Sequence, residues 1–194
     1  YGGQVAAQGF WAASRTVDPA FHPHSLHAYF ILGGDSDEPV RYEVDRIRNG
    51  RSFATRRVVA RQSGGAILNL AASFHVREEA PDATRITMPE GLPEPESLTS
   101  EPAWSGLLDH RDVPDTDDWA RSWLKVAGPL GADPVVHLVA HVYASDDIPT
   151  EAVQLAHPRG RPRVETEYET MYMGASLDHA VWFHRFAPAD EWTL

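Results

Sequence analysis

The chain contains no cysteine, which excludes disulfides, thiolate nucleophiles and cysteine-based zinc sites, and makes a reducing compartment such as the cytoplasm the expectation. It has no apolar run near the roughly 20 residues that a membrane-spanning helix needs. It also lacks the charged start followed by an apolar stretch that marks a targeting signal. Positive charge is scarce: 17 basic residues stand against 28 acidic ones, for a formal charge of −11. Non-specific attraction to nucleic acid or to an anionic membrane is therefore not expected. Lysine is almost missing, Lys125 being the one basic residue that is not arginine. What is present is 42% apolar residues, six of them tryptophan, in 194 residues, enough to bury one large core or two small ones. The first residue is Tyr1 rather than methionine, and a missing upstream piece is expected.

Residues 4–17, QVAAQGFWAASRTV, carry small apolar groups over most of a helical surface, which predicts a helix buried nearly all round. HSLHAYFIL then reads as a strand. In VRYEVDRIRNGRSFATRRVVARQ, Asn49-Gly50 predicts a two-residue hairpin turn. Counting outward from that turn puts Glu43 opposite Arg56 and Val44 opposite Thr55. In AILNLAASFHV, Leu68, Leu70, Ala72, Phe74 and Val76 alternate with mostly polar residues, as a half-buried antiparallel strand does. The prolines and acids that follow read as a linker. A second unit starts with the strand WARSWLKVAG. Its helix is capped by Asp133, has Pro134 in the first turn, and is expected to stop at Pro149. Helix FWAASR before strand HSLHAYF is echoed by helix HVYASD before strand ASLDHAVWF, a short internal repeat. The expected division is a first unit over 1–80, a linker over 81–117 and a second unit over 118–194. The second unit stops after one strand beyond its helix where the first continues through three, so a fragment at both ends is expected.

Asp146 falls at the end of a predicted helix beside Asp147, where the macrodipole and a like charge both disfavour ionisation, as suits a base working near neutrality; an exposed helix-terminal acid is the bland alternative. Its counterpart in the first repeat is Arg15. Period-two alternation puts Gly174, Ser176, Asp178, Ala180 and Trp182 on one strand face, from which Ser176 reaches Asp146 or a bound water, unless its hydroxyl is satisfied by backbone. Asp178 is a rival carboxylate, or a structural partner for a neighbouring histidine. His184 and Arg185 read as the solvated end of that strand. His24 and His27 are expected on opposite faces of theirs. His137 and His141 have the spacing of two metal ligands, but HLVAH lacks the zincin glutamate and a third ligand, so no metal is expected. GASLD departs from a nucleophile elbow at Asp178. Arg41, Arg46, Arg48, Arg51, Arg56, Arg57 and Arg61 crowd one hairpin. Pairing with Glu43 and Asp45 accounts for part of this, and a phosphate-bearing ligand would account for the surplus.

GGQVAAQ, HSLHAYFILGGD, YEVDRIRNGRSFATRRVVARQ, ASFHV, YASD and ASLDHAVWFHR, in this order, resemble the acyl-CoA thioesterase II family over almost the whole chain. The resemblance implies an α+β double hot-dog fold, each unit a long helix wrapped by an antiparallel sheet, with the second unit truncated here. It implies hydrolysis of fatty acyl-CoA to free acid and CoA, without cofactor, metal or covalent intermediate, and an apolar tunnel for the acyl chain. By motif, the family's aspartate is Asp146 and its Thr or Ser is Ser176. The family's glutamine lies on a last strand that this chain lacks, so the chain alone is expected to be inactive and its open strand edges prone to aggregate. Arg46, Arg48, Arg51 and Asp178 are further candidates for substrate binding. The partners implied are acyl-CoA and a second copy of the chain, in a homo-oligomer. Two alternatives are a non-catalytic acyl-CoA-binding protein and a hot-dog enoyl-CoA hydratase. DDIPTE, ending at Glu151, lacks the Asn-Pro pair of the latter.

Overall fold

The computed structural model describes residues 1–100, 106–116, 119–147, 149–158 and 174–194. Among them helix Gly2–Ser14 (α1) is followed by strands Phe21–Phe30 (β1), Arg41–Asn49 (β2), Phe53–Gln62 (β3) and Gly65–Val76 (β4). Then come strands Leu108–Thr116 (β5) and Trp119–Val126 (β6), helices Pro134–Ala144 (α2) and Pro149–Ala156 (α3), and strand Asp178–Trp182 (β7). The first sheet has the order β2-β3-β4-β1-β7, and β5 and β6 pair separately. Every neighbouring pair is antiparallel.

α1 packs on this sheet through small residues. Gly3, Ala6, Ala7, Gly9, Phe10 and Ala13 are buried, while Gln4 and Gln8 are exposed. The helix is therefore buried on one face and not all round. Its outer side borders a cleft, which counting apolar side chains did not reveal. Phe10, wholly buried, stacks between Phe74 and Phe183, with ring centroids 6.4 Å and 5.5 Å away. From β4, Leu68, Leu70, Ala72 and Phe74 enter the same core, as their alternation predicts.

The hairpin is displaced from its expected register. Glu43 faces Val59 and Val44 faces Val58, with a shift between Asp45 and Arg48 before Arg48 meets Thr55. The turn closes at Gly50 N–H to Phe53 O, 2.9 Å, so Arg51-Ser52 form the loop in place of Asn49-Gly50. No residue from 49 to 52 has positive φ, the conformation that an Asn-Gly turn of type I′ would need. Asn49 instead accepts from the buried Arg56 at 2.7 Å, and this tertiary bond outweighs the local turn preference.

Residues 108–116, expected in the linker, form β5 against β6. A shift between Val113 and Thr116 breaks the alternation that would have marked the strand. The expected boundary at 117–118 lies outside the described residues. Pro149 does not simply stop a helix: α2 ends at Ala144, and Pro149 opens α3, where a missing N–H costs nothing. A register shift between Pro23 and Ser25 also corrects the expectation for the two β1 histidines. It sets His24 against the Ser73 hydroxyl at 2.8 Å, on the face opposite buried Ala72 and Phe74, which His27 shares.

β7 adds to the first unit's sheet. His27 faces Ala180 while Ala28 faces His179, a reciprocal His-Ala pairing of the kind a two-fold relation produces. α1 and α2 lie against each other on the inner side. An ideal Cβ on Gly3 would come within 2.6 Å of Tyr143 O, so the close approach of the two helices requires glycine there. The Tyr1 hydroxyl donates to the same Tyr143 carbonyl at 2.7 Å.

Candidate active site

α2 begins as its sequence dictates: Asp133 accepts from Val135 N–H at 2.9 Å, and Pro134 occupies the first turn. It ends at Ala144 with Ser145 as its C-terminal cap, which leaves Asp146 and Asp147 in a turn after the helix. Asp146 is 7% exposed at its side chain, and an ideal Cβ on Gly2 would lie 2.8 Å from its Oδ2. The carboxylate thus sits between the C-terminal end of α2 and the N-terminal end of α1. Glycine at position 2 makes room for it.

Ser176 meets Asp146 as expected, its hydroxyl donating to Oδ1 at 3.3 Å, but not from the strand. β7 starts at Asp178, and the chain bends at Leu177, whose carbonyl accepts from Phe30 N–H at 3.0 Å. The bend breaks the expected alternation. Ser176 turns towards Asp146, whereas Asp178, Ala180 and Trp182 lie on the exposed face. There Asp178 Oδ2 pairs with His27 Nε2 at 2.9 Å, so Asp178 is not brought to Asp146.

His179, next along β7, does point inward. The Ser145 hydroxyl donates to Val142 O at 3.1 Å and so accepts from His179 Nε2–H at 2.9 Å. The other ring nitrogen, Nδ1, faces Asp146 Oδ1 at 3.8 Å. Sequence alternation carried a signal for His179, since it shares a face with apolar Val181, opposite Asp178, Ala180 and Trp182. The reading that grouped Asp178, Ala180 and Trp182 with Ser176 turned that face outward.

The arginine hairpin divides by partner. Arg56, 2% exposed, donates to Thr16 Oγ1 and O, Arg48 O, Thr55 O and Asn49 Oδ1. Burial and the nearby Arg46 charge pull its pKa down. Glu43 takes Arg41 and Arg61 at 2.6 Å and 3.0 Å; the Arg61 hydrogen bond and both positive charges hold its carboxyl below the usual range. Arg46, Arg48 and Arg51 are exposed. β2 is the edge strand, with β3, β4 and β1 between it and β7. The hairpin turn lies level with the start of β1, and Asp146 lies by Phe30 at its other end, about 30 Å of strand away. The structure does not bring these three arginines to Asp146.

His137 and His141 both engage backbone. His137 Nδ1 accepts from Ala189 N–H at 3.0 Å while its Nε2–H donates to Gly131 O at 2.8 Å. His141 Nε2–H donates to Ala187 O at 2.9 Å.

A cleft of about 1080 Å³ opens from Asp146 and Ser176 and runs along the outer face of α1. Val5, Trp11, Phe30, Ile31, Val40 and Tyr42 give it apolar walls, and Tyr42 Oη–H donates to Gln8 Oε1 at 2.6 Å on its flank. A carboxylate and a hydroxyl at the head of an apolar groove can orient one water against the polar end of a long apolar substrate.

These features define an α+β protein of the hot-dog class. A conserved hot-dog-fold protein from Alicyclobacillus acidocaldarius superposes with a TM-score of 0.73 at 19% identity, covering 96% of this chain and 68% of that one. Residues 1–75 match the acyl-CoA thioesterase N-terminal domain and residues 115–194 the acyl-CoA thioesterase family. Acyl-coenzyme A thioesterase 8 of Mus musculus is 31% identical, across all of this chain and 68% of its own length. The acyl-CoA thioesterase II TesB2 of Mycobacterium marinum superposes with a TM-score of 0.79 at 36% identity, covering 99% of this chain and 73% of that one. The chain belongs to the acyl-CoA thioesterase II family, a family of thioester hydrolases.

Proposed function

We propose that this protein hydrolyses fatty acyl-CoA with Asp146 as general base. The observation that carries the reading is the Ser176 hydroxyl on Asp146 Oδ1, 3.3 Å apart, at the head of the apolar cleft. Ser176 fixes the carboxylate through one oxygen. The carboxylate then removes a proton from a water as the water oxygen bonds to the acyl carbon. The carbon–sulfur bond breaks and CoA leaves as its thiolate. α1 begins at the same place, and its first-turn N–H groups have no intrahelical partner, so they are donors for charge developing on the thioester oxygen. The cleft along α1 takes the acyl chain. Reaction in the cytoplasm and self-association belong to this reading, the first fitting the lack of cysteine and the second the edge position of β2 among the described residues.

Asp146→Asn in the full-length protein tests this, with CoA release followed by a thiol reagent. A positioned general base contributes about 10²–10⁴ in rate, so turnover should fall at least about 100-fold with little change in KM. Turnover within twofold of wild type would remove Asp146 from the mechanism.

A further inference from the structure

The loop that joins β1 to β2, residues 31–40, forms one side of the apolar cleft, opposite the outer face of α1. It starts beside the head of the cleft, where an ideal Cβ on Gly2 would lie 2.9 Å from Phe30 Cε1. It leads to Tyr42 on β2, whose hydroxyl meets Gln8, six residues past Gly2 and so about 9 Å further along the helix. At one end of the loop Ile31 N–H donates to Ile67 O at 2.9 Å, and at the other half-buried Val40 packs on the core. The stretch between, GGDSDE, brings no apolar side chain to the core.

The middle of the loop is held by the side-chain amide of Gln62, at the end of β3. Its Oε1 accepts from Asp35 N–H at 2.9 Å, and its Nε2 donates to Asp35 O at 2.7 Å and to Glu38 O at 2.9 Å. The amide thus pairs with Asp35 as a neighbouring strand's peptide would, and both of its N–H groups are used. The next residue, Ser63, adds a second tie, its N–H and hydroxyl donating to the Glu38 carboxylate at 3.1 Å and 2.7 Å. Among the described residues, the side-chain hydrogen bonds that join the loop to the rest of the molecule all come from these two neighbours. Gly34 lies against the same amide, since an ideal Cβ there would come within 3.2 Å of Gln62 Oε1. A segment with so few buried apolar contacts opens at low cost unless such bonds close it.

We propose that Gln62 is a positioning residue for the acyl chain: by strapping Asp35 and Glu38 to the end of β3 it fixes the wall along which a long chain runs, and so sets how well long acyl chains are held relative to short ones. An acetyl group ends at the head of the cleft, before the loop. A dodecanoyl chain passes along it. The inference rests on the reading that the cleft takes the acyl chain, and not on which group is the base.

The test uses the full-length protein with acetyl-CoA and dodecanoyl-CoA as substrates. Gln62→Leu keeps the bulk and removes the three bonds of the amide. It should raise KM for dodecanoyl-CoA about tenfold and leave kcat and KM for acetyl-CoA within about twofold. Gln62→Glu keeps the shape but has no N–H to give and turns a carboxylate on two carbonyls, so it should behave as Gln62→Leu does. A protein that merely folds less well loses the same fraction of activity on both substrates, and such an equal loss overturns the proposal. Hydrogen exchange reads the strap directly: in Gln62→Leu the Asp35 amide should exchange about tenfold faster, with the Leu68 and Leu70 amides of β4 unchanged. A KM for dodecanoyl-CoA within twofold of wild type in either variant overturns the proposal, as does an Asp35 amide that exchanges at the wild-type rate. Gln8→Trp, which fills the cleft from the helix side, tests the cleft itself. If it leaves KM for dodecanoyl-CoA unchanged, the acyl chain lies elsewhere and the reading of the cleft falls together with the strap; a rise there without one in Gln62→Leu removes the strap alone.

Discussion

The two central helices end against a buried cation each, and the two cations are different in kind. Past the end of α1, Thr16 is held by Arg56 from β3, whose N–H groups all go to neutral oxygens. Past the end of α2, Asp147 is held by His110 from β5, whose nitrogens both go to carboxylates. The repeat places a clamp at the same point in each unit. In the first unit the clamp is permanently charged and the helix is followed by Arg15, which lies exposed over Trp11 at 5.3 Å. In the second unit the clamp is titratable and the matching position is the acid at the head of the cleft. A structural device and a candidate catalytic one differ here by the ionisation chemistry of a few side chains on a shared scaffold.

Breaking the first clamp should have the largest effect on folding. Arg56→Met strands several buried acceptors, each costing about 1–3 kcal/mol, so a loss of about 3–5 kcal/mol in total is expected in a denaturant melt. The activity of the molecules that remain folded should change little. The second clamp can be loosened by pH alone. Folding favours the protonated His110, whose pKa rises from 6.5 to about 10. Its contribution is therefore complete below about pH 6.5, and shrinks as pH climbs until it is gone above about pH 10. The melting temperature should fall over that window, and fall less in His110→Gln. A parallel fall in both proteins would assign the loss to other groups.

The smallest effect is expected from the exposed arginines. Replacing Arg46, Arg48 and Arg51 together with serine should change stability by about 0.5 kcal/mol or less for each site and leave KM for acyl-CoA within twofold. A larger rise in KM would bring that hairpin to the CoA phosphates despite its distance from Asp146, and would separate the two ends of the sheet by function as well as by chemistry.

Much of the fold was legible because burial imposes a period on sequence. β4 alternates cleanly, and Leu68, Leu70, Ala72 and Phe74 enter the core as that period requires. Capping chemistry marked the start of α2 equally well, since Asp133 and Pro134 act locally. β5 was hidden because its pairing slips between Val113 and Thr116 and its most buried polar residue, His110, is one that composition reads as surface. The hairpin register was misread because the side chain that fixes it, Arg56, gathers partners from the turn after α1, from β2 and from β3. The Asp146 and Ser176 pair was named by motif resemblance. Alternation had placed Ser176 on the same face as Asp178, which the bend at Leu177 undoes.

The amino-acid sequence alone determined α1, β1, β4, β6, the start of α2 and the absence of thiol chemistry, because these depend on side chains within a turn or a strand of one another. Tertiary structure alone decided which polar groups meet. Asp146 sits 30 residues from Ser176 and Asp147 sits 37 from His110, and no local preference measures such a span. The energies that join them come from burial, where an ionised group keeps its charge only if a partner arrives from another element.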